Sequence, residues 1–73
     1  MISFKEMRKE LGLTQRQVSE KTGWSVCTVQ RMEAGKLQED GVAYRMLTHW
    51  MLWTYDKYMN ELYSRFMDGK RKT

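Results

Sequence analysis

The chain has 73 residues, room for one domain with one modest core. A single cysteine excludes an internal disulfide, and Cys27 with His49 is too small a set for a structural zinc site, so no cofactor is expected and oligomerisation is the remaining means of stabilisation. The formal net charge of +4 favours a polyanionic partner without proving one.

There is no proline, and the glycines stand where helices ought to stop. Ser3-Phe4-Lys5-Glu6 reads as a capping box, with Ser3 and Glu6 satisfying each other's backbone donors. Phe4, Met7 and Leu11 then recur at helical spacing, and Gly12 ends this first helix. Leu13 drops into the core. Thr14-Gln15-Arg16-Gln17 is a second capping box, which predicts a helix from Gln15 to Thr22 with Val18 facing inward.

Gly23 is the hinge, because a glycine after a helix takes positive φ at low cost and lets the chain reverse. Trp24 follows as an apolar plug, and Ser25 is the N-cap of a third helix predicted over Val26 to Glu33. That helix carries Val29 and Met32 inward and turns Val26, Cys27, Gln30 and Arg31 outward. Ser19 is small where the two helices cross. The order Val18, Ser19, Gly23, Trp24, Val29, Met32 is the spacing of a helix-turn-helix, whose second helix can enter a DNA groove about 12 Å wide.

From Val42 to Asp68 there is neither glycine nor proline, and Asp40 is the expected N-cap. Leu47, Met51, Tyr55, Tyr58, Leu62 and Phe66 form one stripe at three- and four-residue steps, and Trp50 and Trp53 widen it. A helix of that length spans about 40 Å at about 1.5 Å per residue. The amino-terminal half is too small to cover it. Packing on its own domain, pairing with a second copy and recruiting another protein are all open; pairing through Trp50, Trp53, Tyr55, Tyr58, Leu62 and Phe66 is the preferred reading, because monomers rarely expose so large an apolar patch.

Residues Phe4 to Leu47 resemble the Cro and phage-repressor type, or XRE, family, most specifically in Leu11-Gly12-Leu13-Thr14-Gln15, the Gly23 turn and Met32-Glu33-Ala34-Gly35-Lys36. The resemblance implies an all-α, lambda-repressor-like domain of three to four helices, here followed by a long carboxy-terminal helix. Residues 1–38 would form the DNA-binding head, 39–69 the long helix and 70–73 a basic tail, in a single domain. The family usually breaks its fourth helix and begins a fifth, whereas this sequence shows no break after Trp50.

By the same resemblance, Val26, Cys27, Gln30 and Arg31 fall where bases are read, and Gln15, Arg16, Gln17, Ser25, Thr28 and Lys36 where phosphates are met. Gln15 would also brace the recognition helix, and Arg8 and Glu33 match a structural salt bridge. Val26 stands where a long polar residue is common. With Cys27 it would pack on thymine methyls and leave Arg31 as the donor to guanine.

The function implied is a sequence-specific transcriptional regulator of phage or plasmid kind, a repressor or autoregulator, binding double-stranded DNA as a homodimer on a palindromic operator with half-sites about 34 Å apart. A protein-binding module using the aromatic helix, such as an antitoxin or phage-encoded inhibitor, and an RNA-binding variant of the fold are the alternatives. No enzyme is expected, since no carboxylate pair, activated nucleophile or phosphate-cradling loop is found. No stretch approaches the roughly 20 apolar residues of a membrane span, charge at Lys5 and Glu6 interrupts any leader, and the lone cysteine fits a reducing compartment, so a cytoplasmic location is expected; with no sensor or ligand domain, no small-molecule ligand is expected. The Lys70-Arg71-Lys72 run reads equally as a phosphate contact or a solvated end.

Overall fold

The computed structural model describes residues 2–71, with side chains as far as Asp68. Four helices follow in order: α1 (Phe4–Glu10), α2 (Gln15–Thr22), α3 (Val26–Glu33) and α4 (Val42–Arg71). The side chains of the Lys70-Arg71-Lys72 tail lie outside the described residues.

Local chemistry sets the boundaries of the first three helices. Ser3, Thr14 and Ser25 hold extended backbone and accept from the amides of Glu6, Gln17 and Thr28, satisfying donors that each first turn leaves open. Only the second cap is fully reciprocal, because Thr14 N–H also donates to Gln17 Oε1 at 2.8 Å. Glu6 instead accepts from the Ser3 hydroxyl at 3.2 Å, so the box expected there is half formed.

Gly23 takes φ of 83°, in the left-handed region, and its N–H closes α2 on Ser19 C=O at 2.9 Å. The reversal is locked by two hydroxyls. Ser19 Oγ donates to Trp24 C=O at 2.5 Å, and Thr22 Oγ1 donates to Val18 C=O at 2.8 Å. The first of these bonds gives Ser19 a polar role beside its small size.

The core is Phe4, Val18, Val29, Leu47 and Met51, one or two residues from each helix. Met7, Leu11, Leu13, Trp24, Met32, Leu37 and Trp50 are half-buried around it. Val18, Val29, Leu47 and Met51 are fully buried, each stabilising the fold by about 1.5–3 kcal/mol. α4 packs on α1 and α3 through its amino-terminal half, where Leu47, Trp50 and Met51 meet the core and Tyr55 bonds to Glu10. It then continues past them without a break, giving the molecule extents of 48 × 22 × 17 Å.

One expected cap is corrected. Arg45 N–H donates to Gly41 C=O at 3.1 Å, so Gly41, not Asp40, occupies the N-cap of α4. Gly41 N–H is itself turned back onto Gln38 C=O at 3.0 Å, which leaves Asp40 in the turn before the helix.

Candidate nucleic-acid interface

The outward face of α3 is defined by what its inward face buries. Val29 is fully buried and Met32 packs on the core, so Cys27, Gln30 and Arg31 emerge together on the solvent side. These three, with Thr28, Ala34 and Lys36, line a shallow hollow. Val26 departs from expectation. It sits at the edge of the inward face and is half-buried, so it offers a flank and not a full surface for base contact.

Glu33 is the one acid in α3, and it is removed from that face. Arg8 Nε and Nη2 donate to its two oxygens at 2.5 and 3.1 Å, and Gln15 Nε2 adds a third bond at 3.0 Å. Both charged side chains are nearly sealed, at 11% and 5% exposure. Burial pushes the Glu33 carboxyl up, but the bonds from Arg8 and Gln15 and the charges of Arg8 and Lys5 outweigh it and hold the group below its ordinary value. Arg31 and Lys36 are therefore left on the open side with no α3 carboxylate beside them.

The same network fixes α2 against α3. Gln15 Oε1 accepts from Gln30 Nε2 at 3.4 Å while its own amide holds Glu33. The bracing expected of Gln15 is thus present, and one N–H of its amide remains for an outside acceptor. Gln17 likewise spends its oxygen on the cap and keeps its amide nitrogen on an exposed side chain. Arg16 is exposed and loosely paired with Glu20 at 3.9 Å. Ser25 and Thr28 hydroxyls lie 2.9 Å apart, so one donates to the other and one O–H remains for an outside acceptor. Lys36 follows Gly35 (φ 70°) and donates its N–H to Arg31 C=O at 2.9 Å, which fixes it at the foot of α3.

Two polar links lay outside the sequence reading. Arg8 Nη1 donates to Leu13 C=O at 2.9 Å, so one guanidinium ties α1, the α1–α2 turn and α3. Tyr55 donates to Glu10 and fastens α4 to the end of α1. Neither leaves a signature, since their partners are 5 and 45 residues away with no motif between them.

A helix-turn-helix family model matches residues 4–39, the span that holds α1, α2, the Gly23 turn and α3. The chain carries a helix-turn-helix domain of the Cro and XRE type over those residues. It is a DNA-binding regulator of that kind, and the family is a DNA-binding one and not an enzyme family. No curated protein and no solved structure gives a significant match. Among the described residues, no helix is long and apolar enough to cross a membrane.

The residues expected to pair copies divide into two groups. Trp50 is packed against the core and Tyr55 is tied to Glu10, so both serve contacts inside the chain. Tyr58 is half-buried, with its ring 6.2 Å from that of Tyr55. Trp53, Leu62 and Phe66 are exposed, and Trp53 carries Lys57 Nζ over its ring at 5.7 Å.

Proposed function

We propose that the chain is a sequence-specific transcriptional regulator, a repressor or autoregulator, that binds a palindromic operator as a homodimer. The observation that carries this reading is the outward face of α3, where Cys27, Gln30 and Arg31 are exposed together while Glu33 is turned inward and neutralised. Arg31 is the base-reading donor, its two-pronged guanidinium matching guanine O6 and N7. Cys27, one helical turn away, meets apolar base edges, Gln30 reaches a neighbouring base and Val26 closes the flank.

Affinity comes from phosphates on either side of the groove. Arg16 and Lys36 supply charge, the free amide hydrogens of Gln15 and Gln17 supply donors, and Ser25 and Thr28 offer hydroxyls at the start of α3. Such contacts fix register without reading sequence.

Selection of bound duplexes from a random pool, repeated at two salt concentrations, tests the reading. Recovery of one inverted-repeat sequence, with affinity falling steeply as salt rises, is the expected result. A pool that stays random at both salts contradicts it.

A protein-binding role for the long helix has one observation in its favour, the 63% exposure of Trp53 away from any base-reading surface. Trp53→Ala separates the two: loss of biological activity with dimerisation and DNA binding intact supports recruitment of another protein.

A further inference from the structure

The ridge of α3 that stands farthest from the core is set by the burial of Val29. Val29 is fully buried, and Cys27 and Arg31 lie two positions before and after it. At 3.6 residues per turn each is rotated about 160° away from Val29, one to either side of the opposite pole. Ala34 follows one turn on and is also exposed, and all three line the same shallow hollow. Positions four apart on a helix are surface neighbours, so the Cys27 thiol and the Arg31 guanidinium border one patch.

The other polar groups of α3 are drawn off this ridge. Gln30 donates to Gln15 on the α2 side at 3.4 Å, and Glu33 is held by Arg8 and Gln15. The Ser25 and Thr28 hydroxyls bond each other at the cap, and Val26 is half-buried at the flank. What stands at the centre of the face is one guanidinium between two small side chains that lack a strong donor or acceptor. A thiol behaves as a small hydrophobe with a weak S–H.

That composition decides what can be read. In the major groove thymine shows O4 and a C5 methyl, whereas cytosine shows an N4 amine and no methyl. A thiol is weak both as donor and as acceptor, so it hardly separates O4 from N4. The methyl is different, because covering it removes apolar surface from water whichever base carries it. Arg31, bonded to guanine O6 and N7, lies in the plane of that base and turns its flat, weakly hydrated face to the pyrimidine on the 5′ side. A methyl there is enclosed by the guanidinium on one side and Cys27 on the other.

We propose that α3 reads a pyrimidine–guanine step by its C5 methyl, so that 5-methylcytosine is accepted in place of thymine while cytosine and uracil are disfavoured. Binding at such a step then responds to cytosine methylation of the DNA. This deepens the DNA reading and rests on its assignment of Arg31 to guanine.

Four versions of the selected operator test it, with thymine, uracil, 5-methylcytosine or cytosine 5′ to the guanine whose choice Arg31→Ala relaxes. Thymine and uracil face adenine and the two cytosines face guanine, so each pair differs by one methyl alone. The native chain is expected to prefer thymine over uracil and 5-methylcytosine over cytosine, each by about 3- to 5-fold, the worth of one buried methyl. Cys27→Ser, whose hydroxyl is better left in water, is expected to bring both ratios near one, with helix content by circular dichroism unchanged. Equal affinity within both pairs, 5-methylcytosine bound more weakly than cytosine, ratios untouched by Cys27→Ser, or a selected operator with a purine at that position overturns the proposal. Each of these leaves the DNA reading standing, whereas a pool that stays random overturns both.

Discussion

Arg8 and Glu33, 25 residues apart, meet through two hydrogen bonds of 2.5 and 3.1 Å and set the end of α3 against α1. The pair decides two things together. It anchors the foot of the recognition helix, and it takes the helix's one negative charge off the surface offered to DNA.

Arg8→Ala leaves Glu33 buried without its main partner. Removing one member of a buried pair costs about 3–5 kcal/mol, a large share of what so small a core supplies. Urea unfolding checks this, and a loss under about 1 kcal/mol would reduce the pair to an ordinary surface bridge.

Acid should expose the same pair. The Glu33 carboxyl lies below its ordinary value of 4.5 when folded, so its contribution is fully present above that value and is lost as pH falls through the lower, folded one. Thermal melts of the native chain are expected to weaken steeply below about pH 4.5. In Glu33→Gln this part of the acid loss disappears, leaving a less stable but flatter profile. An unchanged profile would contradict the assignment.

Gly23→Ala tests the hinge. No atom lies within 4 Å of where the added Cβ would stand, so only the backbone opposes the change. At φ of 83° that opposition is about 1–2 kcal/mol of lost stability. Gly23→Asn, which tolerates this conformation better, should lose less. Equal stability of all three would mean the turn does not need a left-handed residue.

The Tyr55 hydroxyl donates to Glu10, and that bond, followed by slight burial and the charges of Glu10 and Tyr58, raises its pKa above the ordinary 10.0. A raised group contributes fully below its unfolded value and stops contributing as pH rises through the folded one. Ultraviolet titration of Glu10→Gln is expected to bring one tyrosine back toward its ordinary midpoint. No change in any tyrosine would remove this link between α1 and α4.

The helix-turn-helix was legible because its determinants are local. Thr14 with Gln17, Ser25, and Gly23 each act within four residues, so spacing alone placed α2 and α3 on their observed bounds. Val26 was harder, since its exposure depends on where α3 leans and not on its own helix. Asp40 was displaced as cap by its neighbour Gly41, whose N–H finds Gln38 behind it. In α4 two apolar stripes overlap, one meeting the head and one running beyond it. The sequence shows their sum, and only the packing of Leu47 and Met51 separates them.

The central claim is that Arg31 reads a base from the exposed face of α3. Its most direct test is the affinity of Arg31→Ala for the selected operator and for every single-base change in it, with unfolding stability measured beside it. The expected result is unchanged stability, a loss of about 1–3 kcal/mol on the preferred site and relaxed choice at one position of each half-site. Uniform weakening on all sequences, as expected instead for Lys36→Ala, would contradict the claim and make Arg31 a phosphate contact.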